Sequence, residues 1–188
     1  MDKLIKTGEY LSVEQIEFNN LIFDFCKSIG NLSKNYSSAI IASKIPPFLA
    51  PLLFHKNFFF PEQLPLDGDD YEKHEIFLCP NDFFSVLLIV WPPGICSPIH
   101  DHQTWCTFGM LEGEIEESKY VSVNSQNNLN NIRLTELVRH EKGAVTYMGS
   151  ERDIHRMHNP NKRAALSIHV YGGNYKKIGA NVDKIYNT

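Results

Sequence analysis

From Phe83 onward the sequence is a succession of short β-prone segments separated by turn residues, with no helical period between them, and a chain patterned this way closes into a barrel or a jelly roll. The run "FFSVLLIVW" (83–91) is apolar but for Ser85 and ends on Pro92-Pro93-Gly94, which predicts a buried strand followed by a turn. Further strands are predicted at "QTWCTFGML" (103–111), "EIEESKYVSV" (114–123), "IRLTELVRH" (132–140), "AVTYM" (144–148) and "AALSIHVYG" (164–172). The stretch "NSQNNLNN" (124–131) has too little apolar content to pack and reads as a long hairpin loop.

The front of the chain follows a different period. Val13, Ile16, Phe18, Leu21, Ile22, Phe25 and Ile29 recur at helical spacing, with Ser12 in the capping position and Gly30-Asn31 as a stop, so a helix is predicted from Ser12 to Gly30. A second, short helix is predicted from Ser38 to Ser43. After it "PPFLAPLLFHKNFFFPEQLP" (46–65) carries too much proline for a long regular element and is expected to pack irregularly on the core. Neither an internal repeat nor a second domain boundary is visible. One domain over 1–188 is expected, with 1–66 packing on a β-barrel core at 67–188; the chain is 43% hydrophobic, enough to bury such a core unaided.

Charge and cysteine usage narrow the function. A formal charge of −4 with both signs mixed along the chain gives no footprint for nucleic acid. No apolar run approaches a bilayer span, and the start lacks the order of a secretion signal. The four cysteines, at 26, 79, 96 and 106, are scattered rather than paired as C-x-x-C, so neither a zinc ribbon nor a disulfide framework is indicated. A soluble cytoplasmic protein, a monomer or weak homo-oligomer, with a small-molecule partner is expected.

In "PIHDHQTWC", His100 and His102 are two apart, so on a strand both imidazoles project from one face and reach one metal ion. Taken alone, such a pair is more often surface polarity. Its surroundings change the weighting: Gly94 precedes His100 with five residues between, Cys106 follows His102 with three between, and Gly113 follows Cys106 with six between. This pattern resembles the first motif of the cupins, with Cys106 where that motif carries a glutamate ligand. Downstream, "GAVTYMGSERDIHRMHNP" is similar to the second cupin motif in Gly143, His155 and Asn159, with one extra residue and without the motif's proline. The resemblance implies a double-stranded β-helix, a jelly-roll barrel, behind an N-terminal helical segment. It also implies a metal held by His100, His102 and His155. Three neutral imidazoles without a carboxylate or thiolate suit a borderline first-row ion such as Fe(II) and leave positions open for exogenous molecules.

The segment "ALSIHVYGGNY" places Ser167, His169 and Tyr171 on one face of a strand. This Ser-x-His-x-Tyr pattern, with "PIHDH", "GMLEG", "IHRMHNP" and "HVYGGNY", resembles cysteine dioxygenase and the related bacterial thiol dioxygenases. The resemblance implies that a small thiol, L-cysteine first, and O2 give the sulfinic acid at Fe(II). It also implies that Tyr171 points its hydroxyl into the iron site, held by His169 and Ser167. Cys106 takes the position of a cysteine that in animal-type members joins covalently to the tyrosine matching Tyr171; a small buried hydrophobe is the equal alternative. Where that family carries a carboxylate-binding arginine in a Tyr-x-Arg segment, "DYEKHEIFL" has Lys73, a point charge rather than a fork. His74, Lys176 and Lys177 are the other candidates for that task. "HDHQTW" and "HVYGGNY" resemble mercaptopropionate-type dioxygenases equally well, and a non-catalytic cupin that binds metal or a small molecule is the alternative of another class. His55 and His140 have no motif around them and are expected at the surface or as satisfied core residues, and His158 falls off the ligand position. Cys26, Cys79 and Cys96 are read as packing or loop residues, and Trp91 and Trp105 as lining the barrel or shaping the pocket.

Overall fold

The protein is described here from a computed structural model, covering residues 13–55, 64, 66–123, 131–149, 153–178 and 182–187. Among the described residues three helices, α1 (Val13–Asn35), α2 (Ser38–Lys44) and α3 (Pro46–Leu49), lead through a 3-10 turn (Ala50–Phe54) into ten strands. These are β1 (Glu72–Leu78), β2 (Phe84–Trp91), β3 (Ile99–His102), β4 (Cys106–Glu112), β5 (Glu114–Ser122), β6 (Ile132–Glu141), β7 (Val145–Met148), β8 (Ile154–His158), β9 (Ala165–Gly172) and β10 (Val182–Tyr186). They form two five-stranded sheets, in the orders β1-β2-β9-β4-β7 and β10-β3-β8-β5-β6, with every pairing antiparallel. Consecutive strands repeatedly switch sheets, which makes the pair a double-stranded β-helix with the helical segment in front, as the motifs imply.

The alternation of side chains along the central strands explains where the interior lies. On β2, Val86, Leu88 and Val90 pack with Leu166, Ile168 and Val170 of β9 against Phe18, Ile29, Ile45, Leu49 and Leu52 of the helical segment. The opposite faces, with Leu87, Ile89 and Trp91 on β2 and Phe108 and Met110 on β4, look toward the second sheet and meet Ile115 of β5 and Met157 of β8. Both faces of β2 and β9 are thus covered and every residue of each is buried, which is why "FSVLLIVW" reads as nearly continuous apolar sequence instead of alternating. The helices sit close: a Cβ at Gly109 would lie 2.9 Å from Leu53 Cδ1, and Thr107 Oγ1 donates to Ala42 O at 3.0 Å. The second sheet keeps one face in water, so β6 is exposed at most positions while His140 is buried.

Several boundaries differ from the sequence reading. The first helix runs through Gly30 to Asn35. A glycine inside a helix costs about 1 kcal/mol, less than the roughly 1.5–3 kcal/mol that burying a leucine contributes, and Leu32 packs on the core beyond it. Ser12, the predicted cap, lies outside the described residues. The proline-rich stretch forms short elements only: Pro46 opens α3, Leu49, Leu52 and Leu53 are buried, and residues 56–63 and 65 are outside the description. The strand expected from residue 103 starts at Cys106, just after Trp105, whose carbonyl accepts from Gly172 N. Strands β5 and β6 pair from Glu114↔Glu141 to Ser122↔Ile132, the hairpin the Asn-rich loop would join; residues 124–130 lie outside the description. No helix among the described residues is long and apolar enough to cross a membrane.

Candidate metal centre

His100 and His102 both face the interior from β3, as period-two geometry requires, and His155 reaches the same place from β8, where it pairs directly with His100. The three ring centroids stand 4.6–5.0 Å apart. One nitrogen from each ring can be chosen so that all lie within 4.8 Å of one another, and His102 Nε2 is 3.0 Å from His155 Nε2. Two nitrogens each about 2.1 Å from one ion and about 90° apart would stand about 3.0 Å from each other, so the donor set fits a first-row metal.

In two of the three rings the other nitrogen is already committed. His100 Nδ1–H donates to Pro98 O at 2.9 Å, and His155 Nδ1–H donates to Glu117 Oε1 at 2.8 Å, which leaves Nε2 of each ring for an ion. Burial, then the neighbouring His155, pushes the His100 pKa down to about 3, so that ring is neutral and its lone pair available at pH 7. Glu117, carried inward on β5, was missed by the sequence reading; its side chain is 1% exposed and its Oε2 accepts from His140 Nε2 at 2.9 Å. Burial alone would raise its pKa, but the hydrogen bonds from His140 and His155 outweigh it and hold the carboxyl far below the usual range. The available signal was parity: Ile115 and Glu117 alternate on one strand, and Ile115 is core. His140 accordingly is a satisfied core residue, one of the two readings allowed for it.

Opposite the imidazoles, β9 presents Ser167, His169 and Tyr171 in a hydrogen-bonded row. Trp91 Nε1 is 2.8 Å from Ser167 Oγ, Ser167 Oγ is 2.9 Å from His169 Nε2, and His169 Nδ1 is 3.1 Å from the Tyr171 hydroxyl. An indole nitrogen only donates, so Ser167 Oγ accepts from Trp91, and its own hydrogen goes to His169 Nε2 when that nitrogen is the unprotonated one. His169 then carries its hydrogen on Nδ1 and donates to the Tyr171 oxygen, leaving the phenol hydrogen for another acceptor. Phe108 stacks on His169 with ring planes 12° apart and fixes that ring. Burial, followed by the charge of Lys73, holds His169 well below its ordinary pKa, and burial, followed by Cys106, holds Tyr171 well above its own, so neither is charged at neutral pH. Cys106 lies directly across from Tyr171 on β4, its thiol pushed up by burial and then by Glu117.

The pocket between the imidazoles and β9 is walled by His100, His102, His155, His169 and Tyr171 and also lined by Tyr71, Lys73 and Val182. Lys73 pairs with Ile89, which faces inward, and so enters the pocket; His74 pairs with Leu88, which faces the helices, and its Nε2 lies 3.4 Å from Glu72. Lys176 forms an ion pair with Glu75 at 2.6 Å and Lys177 pairs with Asp82; neither lines the pocket. Of the cationic candidates read from the sequence, Lys73 is the one brought to the site. Tyr71, unnoticed in the sequence, stacks on Trp91 with centroids 4.9 Å apart. Trp91 shapes the pocket, whereas Trp105 packs on Gly172 and the helical core. Asn159 holds the strand ends behind the site, with Nδ2 2.8 Å from the carbonyls of Trp91 and Arg163. Asp101, between the two histidines but pointing away, is buried and accepts from Lys184 N and the Tyr186 hydroxyl, which ties β10 to β3. All four cysteines are free.

Two antiparallel sheets wound as a double-stranded β-helix, with histidines from β3 and β8 converging between them, define a cupin able to bind a metal ion. The model of the cysteine dioxygenase type I family matches residues 66–183, more than half of the chain, and the chain belongs to that family of thiol dioxygenases. Solved structures similar to it include TT1209 from Thermus thermophilus (16% identity, 58% of this chain and 90% of that one, TM-score 0.45). The cupin domain of Cnp3 from Schizosaccharomyces pombe is another (16% identity, 62% and 76%, TM-score 0.44). An uncharacterized double-stranded β-helix protein from Klebsiella pneumoniae is a third (12% identity, 68% and 93%, TM-score 0.46).

Proposed function

We propose that this protein is a mononuclear non-haem iron thiol dioxygenase that converts a small thiol, L-cysteine first, to its sulfinic acid, with His100, His102 and His155 as the iron ligands. The observation that carries the reading is the convergence of these three imidazoles in a pocket that Lys73 and Tyr171 also line. The Fe(II) ion, when bound, supplies open positions for the two reactants and the redox chemistry that joins them. The overall change balances without an external reductant: a thiolate and one O2 become a sulfinate, both oxygen atoms ending on sulfur.

The chain's own residues do the rest. His100, His102 and His155 would hold the ion through neutral rings, and the positive charge so retained would favour the substrate sulfur as thiolate. Lys73, its pKa lowered chiefly by burial, offers an ammonium to a substrate carboxylate at the pocket wall. Tyr171, fixed by His169 and Ser167, keeps a phenol hydrogen to direct at the oxygen reactant. Trp91 both walls the pocket and donates into that row of hydrogen bonds at Ser167 Oγ.

The test is metal analysis of the freshly purified protein, then oxygen uptake by the iron-loaded protein with cysteine, mercaptopropionate and cysteamine, with product mass. Sulfinate formation at one oxygen molecule per thiol supports the reading, and the preferred thiol identifies the substrate. No uptake with any of the three would instead leave a metal-binding cupin without this activity.

A further inference from the structure

Glu117 is the carboxylate that meets the three-imidazole cluster from behind, and nothing in the reaction proposed above uses it. It sits on β5 with its side chain 1% exposed. Each carboxylate oxygen takes one ring N–H: Oε1 accepts from His155 Nδ1 at 2.8 Å and Oε2 from His140 Nε2 at 2.9 Å. His140, from β6, is itself 6% exposed and lies edge-on to Phe108, with centroids 5.1 Å and planes 81° apart. The dyad is therefore seated from several sides, and Glu117 does not line the pocket. Of the imidazoles in the cluster, His100 is oriented by a neutral backbone carbonyl at Pro98, whereas His155 is oriented by an anion.

We propose that Glu117, held in place by His140, is a positioning residue that fixes His155 with Nε2 aimed at the metal and supplies negative charge that an all-imidazole donor set lacks. The inference rests on His155 being a ligand, as proposed above. An imidazole whose far N–H is given to a carboxylate is locked in one tautomer and one rotation, and is a more basic donor. The charge also lowers the cost of bringing a dication into a buried, neutral ligand set. A carboxylate that acts through an imidazole thereby takes over the charge that a directly ligating glutamate would bring. His140 acts only through Glu117: by occupying Oε2 it keeps the carboxylate from rotating away from His155.

The experiment is Fe(II) affinity of the full-length protein, measured anaerobically by competition with a chelator, for the wild type, Glu117→Gln, His140→Leu and the double variant. Glu117→Gln keeps shape and an acceptor and removes the charge; it is expected to bind about 10- to 100-fold more weakly, the range for loss of such a partner. His140→Leu should give a smaller loss, and the double variant should bind no more weakly than Glu117→Gln alone, because His140 has no separate route to the metal. A merely structural role predicts losses that add. A second readout is the His155 Nδ1–H proton of the Zn(II)-loaded wild type, expected far downfield as in carboxylate-bound imidazoles. That readout decides the matter even if Glu117→Gln fails to fold. Tight binding by Glu117→Gln, additive losses, or absence of the downfield proton would each overturn the proposal. Wild-type protein that binds no iron, or His155→Ala that binds it as well as wild type, would instead refute the ligand assignment beneath it.

Discussion

Gly172 follows Tyr171 at the end of β9, and replacing it by alanine is the substitution most sharply constrained by the packing. A Cβ there would land on Thr104 Oγ1, 2.5 Å from Trp105 Nε1 and 2.7 Å from Trp105 Cε2. Trp105 is 4% exposed and its carbonyl accepts the Gly172 N–H at 3.0 Å, so the two backbones are joined here and the buried indole has little room to turn aside. Overpacking of this kind costs about 1–3 kcal/mol. At about 2–4 °C per kcal/mol for a chain of this size, the melting temperature should fall by about 2–12 °C. The strain falls one residue from Tyr171, so sulfinate formation should drop as well while iron is retained. Gly30→Ala is the matched control. It is a helix-interior position where a Cβ meets nothing within 4 Å, and alanine should stabilise by about 0.5–1 kcal/mol. Thermal unfolding followed by circular dichroism checks both. A Gly172→Ala protein melting with the wild type would show that Trp105 and Thr104 yield freely, and would refute the view that this strand end is rigidly packed.

Tyr171→Phe should keep its iron and lose about 10²- to 10⁴-fold in sulfinate formation, the span for a positioned proton donor; undiminished turnover would remove the phenol from the chemistry. Lys73→Ala should raise KM for thiols bearing a carboxylate by about 10- to 150-fold, corresponding to about 1.5–3 kcal/mol for a charge-assisted hydrogen bond, and leave cysteamine unaffected. Equal effects on both substrates would assign Lys73 to general packing. Burial lowers the Lys73 pKa, so the ammonium is lost as pH rises through a value below that of free lysine. KM for carboxylate thiols should accordingly climb on the alkaline side earlier than ordinary lysine titration predicts, and a flat profile to that point would count against it. Intact mass after aerobic turnover should fall by two hydrogens if the Cys106 sulfur and the Tyr171 ring join, with O2 as the oxidant; unchanged mass would leave Cys106 as a packed thiol.

What the linear sequence determined are the relations that live within one strand. Period two places His100 beside His102, and Ser167 beside His169 and Tyr171, whatever the rest of the chain does. Nearly continuous apolar character marked β2 as a buried strand, and helical period marked the front segment, although its end was misplaced because Leu32 outweighs Gly30. Only tertiary structure decided the relations between strands. Register of β1 on β2 brings Lys73 inside and turns His74 toward the helices; a slip of one residue would exchange them. Pairing of β3 with β8 sets His155 beside His100, and the β5–β6 hairpin carries Glu117 and His140 to meet behind it. Glu116 and Glu117 are indistinguishable by type, and what separates them is which side of β5 faces the barrel interior. Local periodicity reports which residues share a face; which faces meet is set by burial and hydrogen bonding among segments far apart in the chain, and no single segment encodes that.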